Sequence, residues 1–154
     1  MADDSVTRVG GFSGPQVCGL VGISYRQLDY WARTGLVTPS VRDAGGSGTQ
    51  RLYSFQDLVI LRVIKKLLDT GVSLQRIRKA VDYLRSHLKA EPSGVTLMSD
   101  GNRIYAASSP EDVVDLLQKG QGVFAIALDR VWDDLAKAVP KGQAPARLSV
   151  AGGA

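Results

Sequence analysis

Ser24-Tyr25-Arg26-Gln27-Leu28-Asp29-Tyr30-Trp31-Ala32-Arg33-Thr34-Gly35 is the stretch whose reading decides the fold. Ser24 can accept a hydrogen bond from a backbone N–H of a first helical turn, so it reads as an N-cap. Leu28 and Trp31, with Tyr25 and Ala32, recur at three- and four-residue spacing, the period of one helix face. Gly35 closes the segment where a left-handed residue ends a helix. The rest of this short helix is polar and carries Arg26 and Arg33.

The flanks repeat this punctuation. Upstream, Pro15 to Val21 places Val17, Leu20 and Val21 at helical spacing, and Gly22 stops it. Downstream, Pro39 forbids continuation of a helix. Val41 and Arg42, the tip Asp43-Ala44-Gly45-Gly46-Ser47-Gly48, and Gln50 to Tyr53 read as two short strands around a glycine-rich turn. Ser54 then caps a helix over Phe55–Asp69, with Leu58, Leu61, Ile64, Leu67 and Leu68 on its apolar side. Ser73 caps another, with Leu74, Ile77, Val81, Leu84 and Leu88 in a heptad-like seam. Helix, tight turn, helix, hairpin, helix is the order of a winged helix-turn-helix. Such a unit can offer the first turn of its second helix to the DNA major groove.

Pro92-Ser93-Gly94 marks a boundary. Beyond it, Val95–Met98 and Arg103–Ala106 flank the turn signal Ser99-Asp100-Gly101-Asn102. A helix is expected over Glu111–Lys119. Val123–Leu128, apolar at successive positions, is expected to be a covered strand. A last helix bears Val131, Trp132 and Leu135 and runs to Val139. The expected fold is α+β: a tail over 1–11, a mostly α winged domain over 12–91, a small α/β domain over 92–140, and a second tail over 141–154.

Composition narrows the function. The 154 residues hold one His and one Cys. One chain therefore supplies neither a histidine triad nor a cysteine-built zinc site, and no cofactor, metal or enzymatic activity is expected. Asp133 and Asp134 are adjacent on a helix and point to different faces. Cys18 reads as a small buried hydrophobe, and His87 as a surface residue near a helix end. No apolar run approaches the roughly 20 residues that span a bilayer, so no membrane partner is expected. The start, with Asp3 and Asp4 and no hydrophobic block after them, carries no expected leader. Residues 1–90 carry 13 Lys and Arg against 7 Asp and Glu, whereas residues 91–154 carry 6 against 8. The first part should therefore be the one that faces an anion.

Residues 12–80 resemble the N-terminal domain of the MerR family of bacterial transcription regulators. The resemblance rests on Gly22-Ile23-Ser24, on Leu28-Asp29-Tyr30-Trp31, and on Gly35-Leu36-Val37 with Pro39 and Arg42. It continues through Gln50-Arg51-Leu52-Tyr53 and through Leu67 to Gly71-Val72-Ser73-Leu74 with Ile77. It implies a homodimeric, sequence-specific regulator that binds a two-fold-symmetric promoter site, distorts double-stranded DNA and acts indirectly on RNA polymerase. Its place would be the cytoplasm, on the nucleoid. Tyr30 matches the family's backbone-contacting tyrosine, Arg42 and Arg51 the wing arginines, and Tyr53 the wing tyrosine. Ser24, Tyr25, Arg26 and Arg33 complete the expected DNA-binding set. For Tyr30 a half-buried core position stays open, and for Tyr53 an ordinary strand position.

Asp29 departs from the family pattern, which has a DNA-contacting arginine there. A carboxylate cannot hold a phosphate, but it can accept from a cytosine amino group or orient Arg26 or Arg33. The family's long dimer helix is also missing, because Pro92 and Gly94 follow the fourth helix. Dimerisation is therefore expected in residues 95–139, with an intramolecular core as the alternative. An excisionase-like architectural protein and a protein-interaction module are the competing functions.

Overall fold

The computed structural model describes residues 11–42, 50–87, 96–99, 104–107 and 124–140, with single positions 111, 142 and 144. Five sequence readings lie wholly or mostly outside these residues: the N-terminal tail, the glycine tip Asp43–Gly48, the break Pro92–Gly94, the helix after Glu111 and the C-terminal tail. The chain divides into two compact units, Met1–Lys65 with Leu135–Ala146 and Lys66–Asp134 with Arg147–Ala154.

The first unit opens with β1 (Phe12–Ser13), α1 (Gly14–Val21) and α2 (Tyr25–Arg33), followed by β2 (Leu52–Tyr53) and the start of α3 (Phe55–Asp69). Ser13 and Gln16 form a reciprocal capping box on α1. The Ser13 N–H donates to Gln16 Oε1 at 2.9 Å and the Gln16 N–H donates to Ser13 Oγ at 3.5 Å. Gly22 ends α1 at φ +86° and Gly35 follows α2 at φ +79°, a region where a Cβ would be strained. With both glycines left-handed, α1 and α2 stay short and pack against each other. Arg62 of α3 donates from Nη1 to the Val21 carbonyl at 3.0 Å. This satisfies an end carbonyl of α1 with a cation, as the helix dipole favours.

Phe12, Val17, Val21, Leu28, Trp31, Val37, Tyr53, Phe55, Leu58 and Leu61 are all buried. The strand pairing was not foreseen. Leu52 pairs with Ser13, and Tyr53 with Phe12, in an antiparallel ladder. On its other side Leu52 bridges to Arg42, the one described pairing within the expected hairpin. A strand two residues long gives no periodic signal, so Phe12 read as part of an undifferentiated approach to the first helix.

The second unit holds the end of α3, α4 (Leu74–His87), and a three-stranded antiparallel sheet. The sheet comprises β3 (Thr96–Ser99), β4 (Ile104–Ala107) and β5 (Phe124–Ala127) in the order β4-β3-β5. Helix α5 (Leu128–Ala138) follows β5 directly, and its last residues belong to the first unit. The hairpin strands lie one residue later than expected, with Thr96 opposite Ala107 and Ser99 opposite Ile104. In α4, Ile77, Val81 and Leu84 of the expected seam are buried, Leu74 is half-buried, and Ala80 is buried beside them, while Leu88 lies outside the described residues. Strand β5 is covered on one face only: Ile126 is buried, whereas Ala125 and Ala127 are exposed. Among the described residues it pairs with β3 alone, and alternation along an edge strand leaves the small alanines outside. Trp132 and Leu135 are buried within the chain.

Candidate nucleic-acid interface

The candidate interface is built on α2. The Ser24 hydroxyl accepts from the Gln27 N–H at 3.1 Å, which fixes the first turn. Leu28, Trp31 and Ala32 are buried on one side. The other side presents Arg26, Tyr30 and Arg33, and Tyr25, which its spacing groups with the apolar positions, is exposed at the first turn as well. Tyr25 is 59% exposed and Tyr30 49%, the large apolar side chains that stand out from an otherwise buried set. Arg26 is exposed as well. The Tyr25 ring rests on Gly14, where an added Cβ would come within 3.1 Å of Tyr25 Cε1. A larger residue at position 14 would push that ring aside.

Asp29 occupies the centre of this face. Its Oδ2 accepts from Arg33 Nε at 2.8 Å, one helical turn on, and its Oδ1 accepts from Arg51 Nη1 at 2.7 Å, across from the base of the wing. Hydrogen bonding to Arg51, then to Arg33, holds the Asp29 carboxyl below its ordinary value, and the same bond raises the Arg51 guanidinium above its own. Of the two partners foreseen for Asp29, the structure provides Arg33 and not Arg26, and it adds Arg51. The two arginines differ in access. The Arg33 side chain is 62% exposed and the Arg51 side chain 18%. A groove of 540 Å³, lined among others by Pro15, Tyr25, Asp29, Gln50 and Arg51, runs alongside.

Arg42 is exposed and donates from Nε to the Gln50 carbonyl at 2.9 Å, joining the two chain segments that lead to the wing tip. Tyr53 is fully buried in β2 opposite Phe12, the ordinary strand position that the sequence left open for it. Ser24, Tyr25, Arg26, Tyr30, Arg33 and Arg42 are therefore brought to the surface of one unit. Arg51 is tied inward, and Tyr53 is withdrawn.

Asp57 was missed by sequence reasoning. Its buried Oδ2 accepts from the Ser40 N–H at 2.8 Å, the Ser40 hydroxyl at 2.7 Å and the Ser54 N–H at 2.9 Å. Its own N–H donates to Ser54 Oγ at 3.0 Å. One carboxylate thus ties the segment entering the wing to the first turn of α3. Ser54 and Asp57 at N-cap and N3 are the legible half of this arrangement. The Ser40 half is a long-range contact and has no local signature. Cys18 is half-buried, and desolvation raises its thiol pKa, so it lacks the thiolate character of a reactive cysteine. Among the described residues there is no helix long and apolar enough to cross a membrane, and no group of His, Cys, Asp and Glu placed to hold a metal ion.

A profile described as MerR HTH family regulatory protein matches residues 12–84. The chain is 55% identical over 134 residues to an HTH-type transcriptional regulator of Mycobacterium tuberculosis, and equally so to one of Mycobacterium bovis. Each alignment covers 86% of this chain and 60% of the relative. It is 35% identical over 98 residues to the nodulation protein NolA of Bradyrhizobium elkanii, covering 57% of this chain and 43% of that protein. It is 30% identical over 69 residues to the HTH-type transcriptional regulator HmrR of Sinorhizobium medicae, covering 45% of each. The chain thus spans about 60% of the length of the mycobacterial relatives it matches.

Proposed function

Residues 12–84 belong to the MerR helix-turn-helix family, and from that premise we propose that this chain is the DNA-binding part of a transcriptional regulator. The carrying observation is the solvent face of α2. Tyr25 and Tyr30 are exposed there although they are large, and Arg26 and Arg33 lie on the same short helix. Folding alone gives no reason to leave two tyrosines out of the core. A duplex supplies one: the tyrosine hydroxyls can donate to phosphate oxygens, and the arginines can pair with phosphates or with guanine edges. Ser24 and the first α2 turn approach the groove, and Arg42 contacts the flanking backbone from the base of the wing.

A unit of this size reads a short half-site, so two copies bind a two-fold-symmetric promoter site as a homodimer. Residues 95–139, beyond the family match, are the place proposed for pairing. Bending or untwisting of the bound promoter, and through it an effect on RNA polymerase, belongs to the same proposal. The domain organisation proposed is a DNA-binding region over 12–91 and a smaller α/β region over 92–140, acting on the nucleoid without a resident cofactor or a catalytic reaction.

The test is selection of genomic fragments by the purified chain, followed by sequencing and a salt titration. A recurrent inverted repeat bound with a steep salt dependence is the expected result. Absence of duplex binding in dilute buffer would overturn the proposal.

A further inference from the structure

The second unit contains a cavity of about 330 Å³ between α4 and the β3–β4 hairpin. That is the lower end of the range for small-molecule sites, about 300–1,000 Å³. Ala80, Leu97, Ile104 and Tyr105 supply an apolar wall, and Arg76 and Lys79 stand on the α4 side. The two cations are three residues apart and so share one helix face. Both are exposed, and among the described residues neither has a carboxylate partner. The cavity thus combines an apolar wall with two uncompensated positive charges at one side. Helix α4 contacts β4 in this unit and lies within the family match as far as Leu84, whereas the hairpin lies outside it.

We propose that this cavity binds a small organic anion, a carboxylate carried on an apolar body. The carboxylate meets the Arg76 guanidinium, whose fork matches its two oxygens, with Lys79 as a second point charge. The apolar body lies against Leu97, Ile104 and Tyr105. A nucleic-acid phosphate would use the cations but would leave the apolar wall wet. A neutral hydrocarbon would use the wall but ignore the cations. Only an amphipathic anion uses both. This binding claim stands apart from the DNA-binding reading.

The test is calorimetric titration of the full chain with three probes: octanoate, octanol and acetate. Octanoate should bind saturably, with octanol and acetate each at least tenfold weaker. The double variant Arg76→Gln/Lys79→Gln changes two exposed side chains and should fold as the parent does by circular dichroism. It should weaken octanoate at least tenfold and leave octanol unchanged. Ile104→Asp, which places a repelling charge on the apolar wall, should also weaken octanoate. If that variant unfolds, the Arg76/Lys79 pair alone decides. Equal binding of octanoate and octanol, no octanoate binding at millimolar concentration, or unchanged octanoate binding by the double variant would each overturn the proposal. So would a double variant that loses only duplex affinity, since that would assign both cations to phosphate.

Discussion

Arg51 Nη1 lies 2.7 Å from Asp29 Oδ1, so the segment Gln50–Tyr53 is fastened to α2 by an ion pair on the face that carries the other arginines. This relationship changes what each residue is expected to do. A free Arg51 would neutralise a phosphate. A paired and mostly buried Arg51 instead holds Gln50–Tyr53 against α2, and its charge is already balanced. Arg51→Ala should therefore leave the slope of log affinity against log salt nearly unchanged. Asp29→Asn frees Arg33 and Arg51 together, and the slope should steepen by about 1 to 2, since each phosphate neutralised adds about 0.9. Binding titrations at several salt concentrations check both. A flatter slope for Arg51→Ala would return Arg51 to direct phosphate contact.

The same pair sets a pH dependence. The Asp29 carboxyl is depressed from its ordinary value of 3.8 by its bond to Arg51 and then by that to Arg33. A carboxyl with a depressed folded-state pKa stabilises the fold at every pH above its unfolded value, and that stabilisation is lost as pH falls through the folded value. Thermal melts of the parent and Asp29→Asn should therefore differ by a constant amount from about pH 5 to 8, with the gap closing below about pH 4. A gap that closes near neutral pH would show that another group is responsible.

Tyr53 separates core from contact. Tyr53→Ala removes a fully buried aromatic and should lower stability by about 3–5 kcal/mol in denaturant unfolding, as for large aromatic truncations. Tyr53→Phe should keep duplex affinity within twofold. A large affinity loss in a stable Tyr53→Phe protein would assign the hydroxyl to DNA after all.

Arg26 and Tyr25 should behave in the opposite way. Both are exposed, so Arg26→Ala and Tyr25→Ala should leave the melting temperature within about a degree or two of the parent, surface changes being worth within about 0.5 kcal/mol. If Arg26 reads a base edge, its loss should weaken the preferred site by about 1–3 kcal/mol relative to unrelated sequence. Equal weakening on all duplexes would make it a phosphate contact. Competition binding with specific and random duplexes distinguishes the two.

Asp57 tests the anchoring of the wing. Hydrogen bonds to a charged group contribute roughly 1.5–3 kcal/mol each. Asp57→Ala should therefore destabilise the chain by about 3 kcal/mol or more and accelerate proteolysis near Ser40. Asp57→Asn keeps an acceptor and should lose less. Equal losses for Ala and Asn would mean that the carboxylate charge, not the acceptor geometry, holds the segment.

Much of the helical framework was legible without coordinates. Ser24, Ser54, Gly22 and Gly35 act within a turn of their own positions, and the caps and stops they set appear where local chemistry puts them. The boundaries of α3, Phe55–Asp69, follow from Ser54 and an apolar period that runs through Leu58, Leu61 and Ile64. The exposed character of Arg26 and Arg33 followed from the same periodicity, because Leu28 and Trp31 claim the buried side, whereas Tyr25, grouped with them by spacing, is exposed at the start of the helix.

Tertiary structure decided the rest, and always through contacts between residues distant in sequence. Asp29 could have oriented Arg26, Arg33 or a base, and only the return of the chain at residue 51 made Arg51 its partner. Tyr53 could have faced either way from a two-residue strand until Phe12 came to lie opposite it. Ser40 is 17 residues from Asp57, too far for any local pattern to record. Periodicity and caps are short-range physics and are written into neighbouring residues. Partner choice among charges and the facing of short strands depend on which segments folding brings together.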